Sequence, residues 1–237
     1  MDENNIDIDI DMDLGFDIYD IITDEIWNKT VPDSKIIENL EYVKHNDPEF
    51  NINECYINLL NDHYEAVYRY LTIAVDNGRK ELVEYLLTYP NIDVNCIYMS
   101  DNSHDRIPLY HTSMLYIIVH SRSISIPISI LILKLFLNRK DFDVNIQGYE
   151  GCYKGCTGLH DASDYNKIEI VRELLLDARV DISICSKLYD TALNIAIKEG
   201  HHKIANMLKN TGYTFLLRIP NASLCRDIVR MIIEEYT

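Results

Sequence analysis

The stretch that decides the fold runs from residue 157 to residue 183 and reads TGLHDASDYNKIEIVRELLLDARVDIS. Its apolar residues follow helical spacing, which predicts a short helix, a turn, a longer helix and an extended segment. The same order begins again at Thr191, and earlier copies begin at Arg69 and Ser113. The equivalent leucines of the four copies lie 44, 44 and 34 residues apart: Leu71, Leu115, Leu159 and Leu193. Repetition at this period predicts a solenoid of stacked units.

Polar residues mark the start of the first helix in each of the last two units. Thr157 stands where this helix must begin, so its hydroxyl can accept a hydrogen bond from an N–H of the first turn. His160 follows three residues later, at the place where a capping box puts Glu or Gln. Thr191 and Asn194 repeat the arrangement. We therefore predict a structural capping role for these four residues.

The repeated unit resembles the ankyrin repeat, whose pattern TPLHxAAxxGHxEIVxxLLxxGADVN is matched best by residues 157–183. Looser matches occupy residues 69–95, 113–145 and 191–212, and residues 34–53 read as a degenerate N-terminal cap. The resemblance implies an all-α ankyrin-repeat solenoid of about four to five helix–turn–helix repeats with capping helices. It also implies a scaffold for protein–protein interaction that has no catalytic activity.

We divide the chain into three parts. Residues 1–24 are predicted to be an acidic, disordered tail, because the first 20 residues carry eight acids and no Lys or Arg. Residues 25–213 form the predicted ankyrin-repeat domain. Residues 214–237 fit an amphipathic helix that either caps the last repeat or acts as a short adaptor-like box. The second alternative resembles SOCS-type and F-box-like segments, and would make the chain a substrate-recruiting adaptor that binds a ubiquitin-ligase component.

The charge of the chain restricts the classes of partner. The 237 residues carry 38 acids against 22 Lys and Arg, a formal net charge of −16. A field of this sign repels phosphate backbones and anionic lipid headgroups, so we expect no nucleic acid and no membrane as partner. The most apolar run, residues 124–137, is shorter than a membrane span of about 20 residues and is predicted to be a buried helix. We expect a monomer that binds a protein.

The cysteines and the N-terminus predict the compartment. Six cysteines are widely and irregularly spaced, at positions 55, 96, 152, 156, 185 and 225, which favours free thiols in a reducing cytosol. The opening residues MDENNIDIDIDMD have neither the positive charge nor the apolar core of a secretory signal. We therefore predict a cytoplasmic protein. Irregular repeats of this kind resemble those of large DNA viruses and of intracellular bacteria or protists, and a viral chain would act in the host cytoplasm.

Three residues raise alternatives to a scaffold. Cys152, Cys156 and His160 are spaced by four residues, as ligands of a structural zinc ion or as a Cys–His nucleophile pair could be. A zinc site needs four ligands and no fourth is evident, while a nucleophile pair needs an orienting third group and a pocket. His160 is already assigned to the helix cap. We therefore predict no catalytic, cofactor-binding or metal-binding residue, no cofactor and no enzymatic activity.

The extended loops between repeats are the predicted partner-binding elements. They span residues 96–112, 146–156 and 184–190. Tyr and Arg dominate the energetics of protein interfaces, and these loops are rich in them. The alternative is that tyrosines merely fill the loops of a chain that contains 17 of them. The predicted partner-binding residues are Tyr98, Arg106, Tyr110, Tyr149, Tyr153, Lys154 and Tyr189.

Overall fold

A computed structural model of the chain describes residues 18–53, 56–59, 65–95, 98–100, 110–121, 124–148 and 155–217. Within these ranges the chain forms five consecutive helix pairs. In chain order the helices are α1 (Ile18–Trp27), α2 (Asp33–Asn46), α3 (Tyr70–Asp76), α4 (Lys80–Leu86), α5 (Met114–His120), α6 (Ile126–Leu137), α7 (Gly158–Asp164), α8 (Ile168–Leu176), α9 (Ala192–Lys198) and α10 (His202–Leu217).

The helix pairs stack in two layers. Each odd-numbered helix packs on the next odd-numbered helix, and each even-numbered helix packs on the next even-numbered one. We call these the first-helix layer and the second-helix layer. The predicted all-α solenoid of four to five helix–turn–helix repeats is confirmed by this arrangement.

Two of the loops between units contain strands that the sequence analysis did not predict. Strands β1 (Tyr56–Leu59) and β2 (Glu65–Tyr68) connect α2 to α3, and strands β3 (Tyr98–Ser100) and β4 (Tyr110–Thr112) connect α4 to α5. They form one antiparallel sheet in the order β1-β2-β3-β4. Each loop is long enough to fold back on itself as a hairpin, and neighbouring hairpins then pair edge to edge.

Burial between layers, rather than helix propensity, stabilises the short helices. α3, α5, α7 and α9 are seven residues long, and helices of that length are marginal in isolation. Three of them place a fully buried alanine five residues after the N-cap: Ala74, Ala162 and Ala196. A small side chain at this point lets the facing helices approach closely. Because the alanine recurs at the same place in these three units, the same close packing recurs along the stack.

A left-handed residue ends the first helix of three units. Gly78, Asn166 and Gly200 occupy the same place in their turns and have φ values of 68°, 52° and 72°. Only Gly, and less readily Asn, adopts this conformation at low cost. At Gly78 a Cβ atom would lie 1.8 Å from Ile124 Cγ2, so a side chain there would also collide with the next unit.

A ladder of asparagine side chains joins successive units. The Asn53 amide donates to the carbonyl of Asn91 at 2.7 Å and accepts from the backbone N–H of Asp93 at 2.8 Å. Asn95 makes the same pair of bonds to the following unit, and Asn145 makes it to the unit after that. Each amide satisfies one backbone donor and one backbone acceptor, which an aspartate or an aliphatic residue could not do.

The N-terminal unit is larger than the sequence analysis predicted. The tail was predicted to extend to residue 24, but α1 begins at Ile18 and buries Ile22 and Ile26 completely. The acids of this segment obscured an amphipathic helix whose apolar residues lie four apart. Residues 34–53, predicted to be a degenerate cap, supply α2, and together with α1 they complete a full helix pair. The tail predicted for residues 1–17 lies outside the described residues.

The C-terminal boundary also differs from the predicted one. We placed it between residues 213 and 214, but α10 continues without interruption to Leu217. Of the capping helix or adaptor box predicted for residues 214–237, residues 218–237 lie outside the described part of the chain.

The most apolar stretch of the chain forms α6, which buries Ile132, Leu133 and Phe136 against the neighbouring units. Among the residues that the structure describes, no helix combines the length and the apolar character that crossing a membrane requires.

Candidate functional site

The strand register places four tyrosines on one face of the sheet. Tyr56 pairs with Tyr68, Val67 with Met99, and Ser100 with Tyr110. Because successive residues of a strand alternate between faces, the neighbours of the Val67–Met99 pair lie together on the opposite face. We call this the tyrosine face, and it is made of Tyr56, Tyr68, Tyr98 and Tyr110.

Two residues of the tyrosine face were predicted from the sequence and two were missed. Tyr98 and Tyr110 belong to the predicted set and lie in β3 and β4. Tyr56 and Tyr68 were not predicted, although two strand-like runs, YINL and EAVY, flank Asn61–Asp62, a turn-forming pair. The predicted residues Arg106, Tyr149, Tyr153 and Lys154 lie outside the described residues.

The described ends of the loop at residues 146–156 lie beside the loop at residues 184–190. The base of the first of these loops is closed by backbone hydrogen bonds from Gly148 N–H to the carbonyl of Cys156 at 2.9 Å and from Gly155 N–H to the carbonyl of Gly148 at 2.7 Å. The Gln147 amide donates to the carbonyls of Gly155 and Cys185, which ties the two loops together.

The loop at residues 184–190 exposes an apolar tip. Ser186 anchors it through backbone bonds with Tyr189 and Asp190, both 2.9 Å long. Leu188 and Tyr189 project into solvent, and Tyr189 is 86% exposed with a φ of 63°. A tyrosine rarely adopts a positive φ, so the loop, rather than the preference of the residue, sets the position of this exposed ring.

The caps of the last two units have the following geometry. The Thr157 N–H donates to Nδ1 of His160 at 3.1 Å, and the Thr157 hydroxyl lies 2.8 Å from the same nitrogen. Since an N–H can only donate, Nδ1 is unprotonated, and Nε2–H donates to the carbonyl of Asp190 at 3.2 Å. Burial lowers the pKa of His160, which keeps the ring neutral. In the next unit the hydroxyl of Thr191 accepts from the N–H of Asn194 at 3.2 Å.

Comparison with known proteins identifies the repeats. A family model described as "Ankyrin repeats (3 copies)" matches residues 71–187 and 129–218, which together make up more than half of the chain. The chain belongs to the ankyrin-repeat family. The matched residues include most of α3 and every later helix, so the α1–α2 pair precedes them. A search of curated proteins finds no match to the chain.

The helix cap of α7 occupies His160, one of the residues that could have formed a Cys–His site. Both ring nitrogens of His160 are occupied, one by Thr157 and one by Asp190, so neither can deprotonate a thiol. Burial, followed by the charges of nearby aspartates, raises the pKa of the Cys156 thiol to about 12. Nucleophilic and metal-bound cysteines require the thiolate. Cys152 lies outside the described residues, and within them His, Cys, Asp and Glu form no group that could hold a metal ion.

Replacing His160 with Ala should lower the free energy of unfolding by about 1–2 kcal/mol, because it removes a buried cap and the bond to Asp190. A urea titration of both proteins measures the change. Metal content, determined in parallel, should be the same in both. Stoichiometric zinc in the parent that disappears in the variant would show that His160 is a ligand rather than a cap.

Proposed function

We propose that the chain is a non-enzymatic scaffold that binds a protein partner through its loops and its first-helix layer. The observation that carries this proposal is the tyrosine face, where four tyrosines from two separate hairpins share one side of a single sheet. Tyrosine supplies a large, rigid and amphipathic contact area at low entropic cost. A sheet face that gathers tyrosines from adjacent loops is well suited to bind an epitope of a folded protein.

The net charge supports a protein as the partner, and the free thiols support a cytoplasmic location. A net charge of −16 disfavours phosphate-bearing partners, which leaves proteins as the proposed class. Cys156 and Cys185 are free thiols, as expected in a reducing compartment. We therefore propose that the protein acts in the cytoplasm, as a monomer and without a cofactor.

The double substitution Tyr98→Ala with Tyr110→Ala should weaken binding of a partner captured with the full chain by more than tenfold. Hot-spot residues contribute about 2 kcal/mol or more when truncated, and about 1.4 kcal/mol corresponds to a factor of ten. Isothermal titration calorimetry with the purified partner measures the effect.

The matched control is Tyr42→Ala, which removes an exposed tyrosine from the second-helix layer and should leave the affinity unchanged. Circular dichroism melts confirm that each variant remains folded. If Tyr42→Ala abolished binding while the tyrosine-face pair did not, the partner would bind the second-helix layer and the proposed surface would be wrong.

The adaptor role rests on the sequence of residues 214–237 alone. A pull-down with the full chain and with a chain that ends at residue 217 tests it. Loss of a ubiquitin-ligase component from the shorter chain, with the partner retained, would support the adaptor role. Equal recovery from both chains would leave these residues as a cap.

A further inference from the structure

One position of the first-helix layer differs chemically from its equivalents. Ile73, Ile117, Asp161 and Ile195 each stand four residues after the N-cap of their helix, and each backbone N–H bonds to the N-cap carbonyl at 3.0–3.2 Å. Three of the four units place isoleucine here. The α7 unit, which matches the ankyrin pattern best, places an aspartate.

Asp161 is buried although its carboxylate is not satisfied. The residue is 3% exposed, and its Oδ1 atom is fully enclosed and has no hydrogen-bond partner. Burying a carboxylate without partners costs free energy unless the group is neutralised. Burial, with the charge of Asp164 as the second cause, raises the pKa of Asp161 to about 7. Fold stability therefore does not explain an acid at a position where isoleucine suffices.

Two further groups share the face of α7 on which Asp161 lies. Asp164 and Tyr165 follow it by three and four residues, the spacing that places side chains one above the other on a helix. The bond from Tyr165 N–H to the carbonyl of Asp161, 3.0 Å long, shows that the helical turn extends to Tyr165. Asp164 is partly exposed and Tyr165 is 44% exposed. The three residues thus run from a buried acid to an accessible rim.

The surroundings are acidic rather than neutralising. After burial, the charges of Asp161, Asp164 and Asp190 raise the pKa of the Cys156 thiol, so all three acids lie in the neighbourhood of this thiol. Burial and then the charge of Glu199 raise the pKa of Asp164, which His201 partly offsets. No ion pair within the described residues involves Asp161 or Asp164.

Two of the neighbouring basic groups are paired with another acid or neutral. Lys198 lies 2.6 Å from Asp190. His120 of α5 packs edge-on against the Tyr165 ring, with centroids 4.3 Å apart. Burial, followed by the charge of Lys167, lowers the pKa of His120 to about 4, so this ring carries no charge at neutral pH.

We propose that Asp161, Asp164 and Tyr165 form a subsite that receives one lysine or arginine side chain of the protein partner. This inference rests on the proposed function and specifies the chemistry of the partner. A long cationic side chain can pack along Tyr165 and place its charged end beside Asp164 at the rim, about one helical turn from the buried carboxyl group of Asp161. Two carboxylates and an aromatic ring are the groups that stabilise a desolvated cation.

A cation in the subsite should also promote loss of the proton from the buried carboxyl group of Asp161. The bound charge favours ionised Asp161, so binding lowers its pKa and becomes tighter as the pH rises from 6 to 8. Other acids and bases near this helix modulate the size of this effect: Asp190, Lys198, Glu199 and His201 from the α9 unit, His120 from α5, and Lys167 from the turn between α7 and α8.

The test uses the full chain, labelled with ¹⁵N, and two small probes. N-acetyl-arginine methylamide carries the cation, and N-acetyl-citrulline methylamide is its neutral isostere. We expect the arginine probe to shift the amide resonances of α7 in a saturable manner, while the citrulline probe does not.

Asp161→Asn, which preserves the shape of the side chain, should weaken the arginine response at least tenfold. Glu169→Gln, which removes one exposed charge from the same unit, should leave it unchanged.

A second measurement tests whether Asp161 is a binding residue or a structural one. Asp161→Asn and Asp161→Ile should raise the melting temperature, more at pH 8 than at pH 5, because they remove a carboxylate that is costly to ionise. A lower melting temperature in both variants would assign Asp161 a structural role and overturn the inference.

Equal responses to the two probes, or an unchanged arginine response in Asp161→Asn, would also overturn it. The proposed function would survive these outcomes if substitutions on the tyrosine face still weakened a captured partner.

Discussion

Replacing Arg79 with Ala should lower the free energy of unfolding by about 3–5 kcal/mol, the usual loss when one member of a buried ion pair is removed. Its guanidinium donates to the carbonyls of Glu25, Ile26, Asn28 and Val31, and to Asp33 Oδ1 at 2.6 Å. The side chain is buried and fastens the α1–α2 turn onto the start of α4. Its removal takes one donor away from four carbonyls and a carboxylate. Only Asn28 and Asp33 keep a second donor among the hydrogen bonds described, from the N–H groups of Val31 and Leu82.

Denaturant unfolding of the full chain measures this loss. Arg172→Ala, which truncates an exposed arginine with a loose 4.0 Å contact to Glu169, should change stability by less than about 0.5 kcal/mol. Arg79→Lys should recover only part of the loss, because an ammonium cannot reach all five acceptors. If Arg79→Ala were as stable as the parent chain, the α1–α2 unit would not be docked as described.

Replacing Leu174 with Ala should destabilise the fold by about 2–5 kcal/mol, the range for truncating a buried leucine. Leu174 is 1% exposed and lies between the units that flank α8. Leu176 on the same helix is 75% exposed, so Leu176→Ala is the matched control and should cost less than about 0.5 kcal/mol. Similar losses from both substitutions in urea melts would contradict the assignment of the buried face of α8.

The two helix layers could be predicted because the residues that specify each unit lie close together in the sequence. The helical spacing of Ile170, Val171 and Leu174, together with the cap at Thr157, predicts the α7–α8 unit from a single stretch of sequence. All three apolar residues are buried in that unit. The recurrence of the pattern then predicts stacking, because each unit needs a neighbour to cover its apolar face.

The features that were missed depend on contacts between residues that lie far apart in the sequence. No local pattern marks Arg79, since the groups that it binds lie 46 to 54 residues earlier in the chain. Nothing in the local sequence marks Asp161 either, because its burial results from packing between neighbouring units. The tyrosine face required the pairing of β2 with β3, which joins two hairpins that no local pattern connects.

Hydrogen–deuterium exchange of the full chain, free and bound to its partner, tests the central claim most directly. We expect protection on binding in residues 56–68 and 98–112, which contain the tyrosine face, and in the first-helix layer around α7. Exchange in the exposed parts of α2, α4, α6 and α8 should not change. Protection confined to this second-helix layer, with the two hairpins unaffected, would contradict the account.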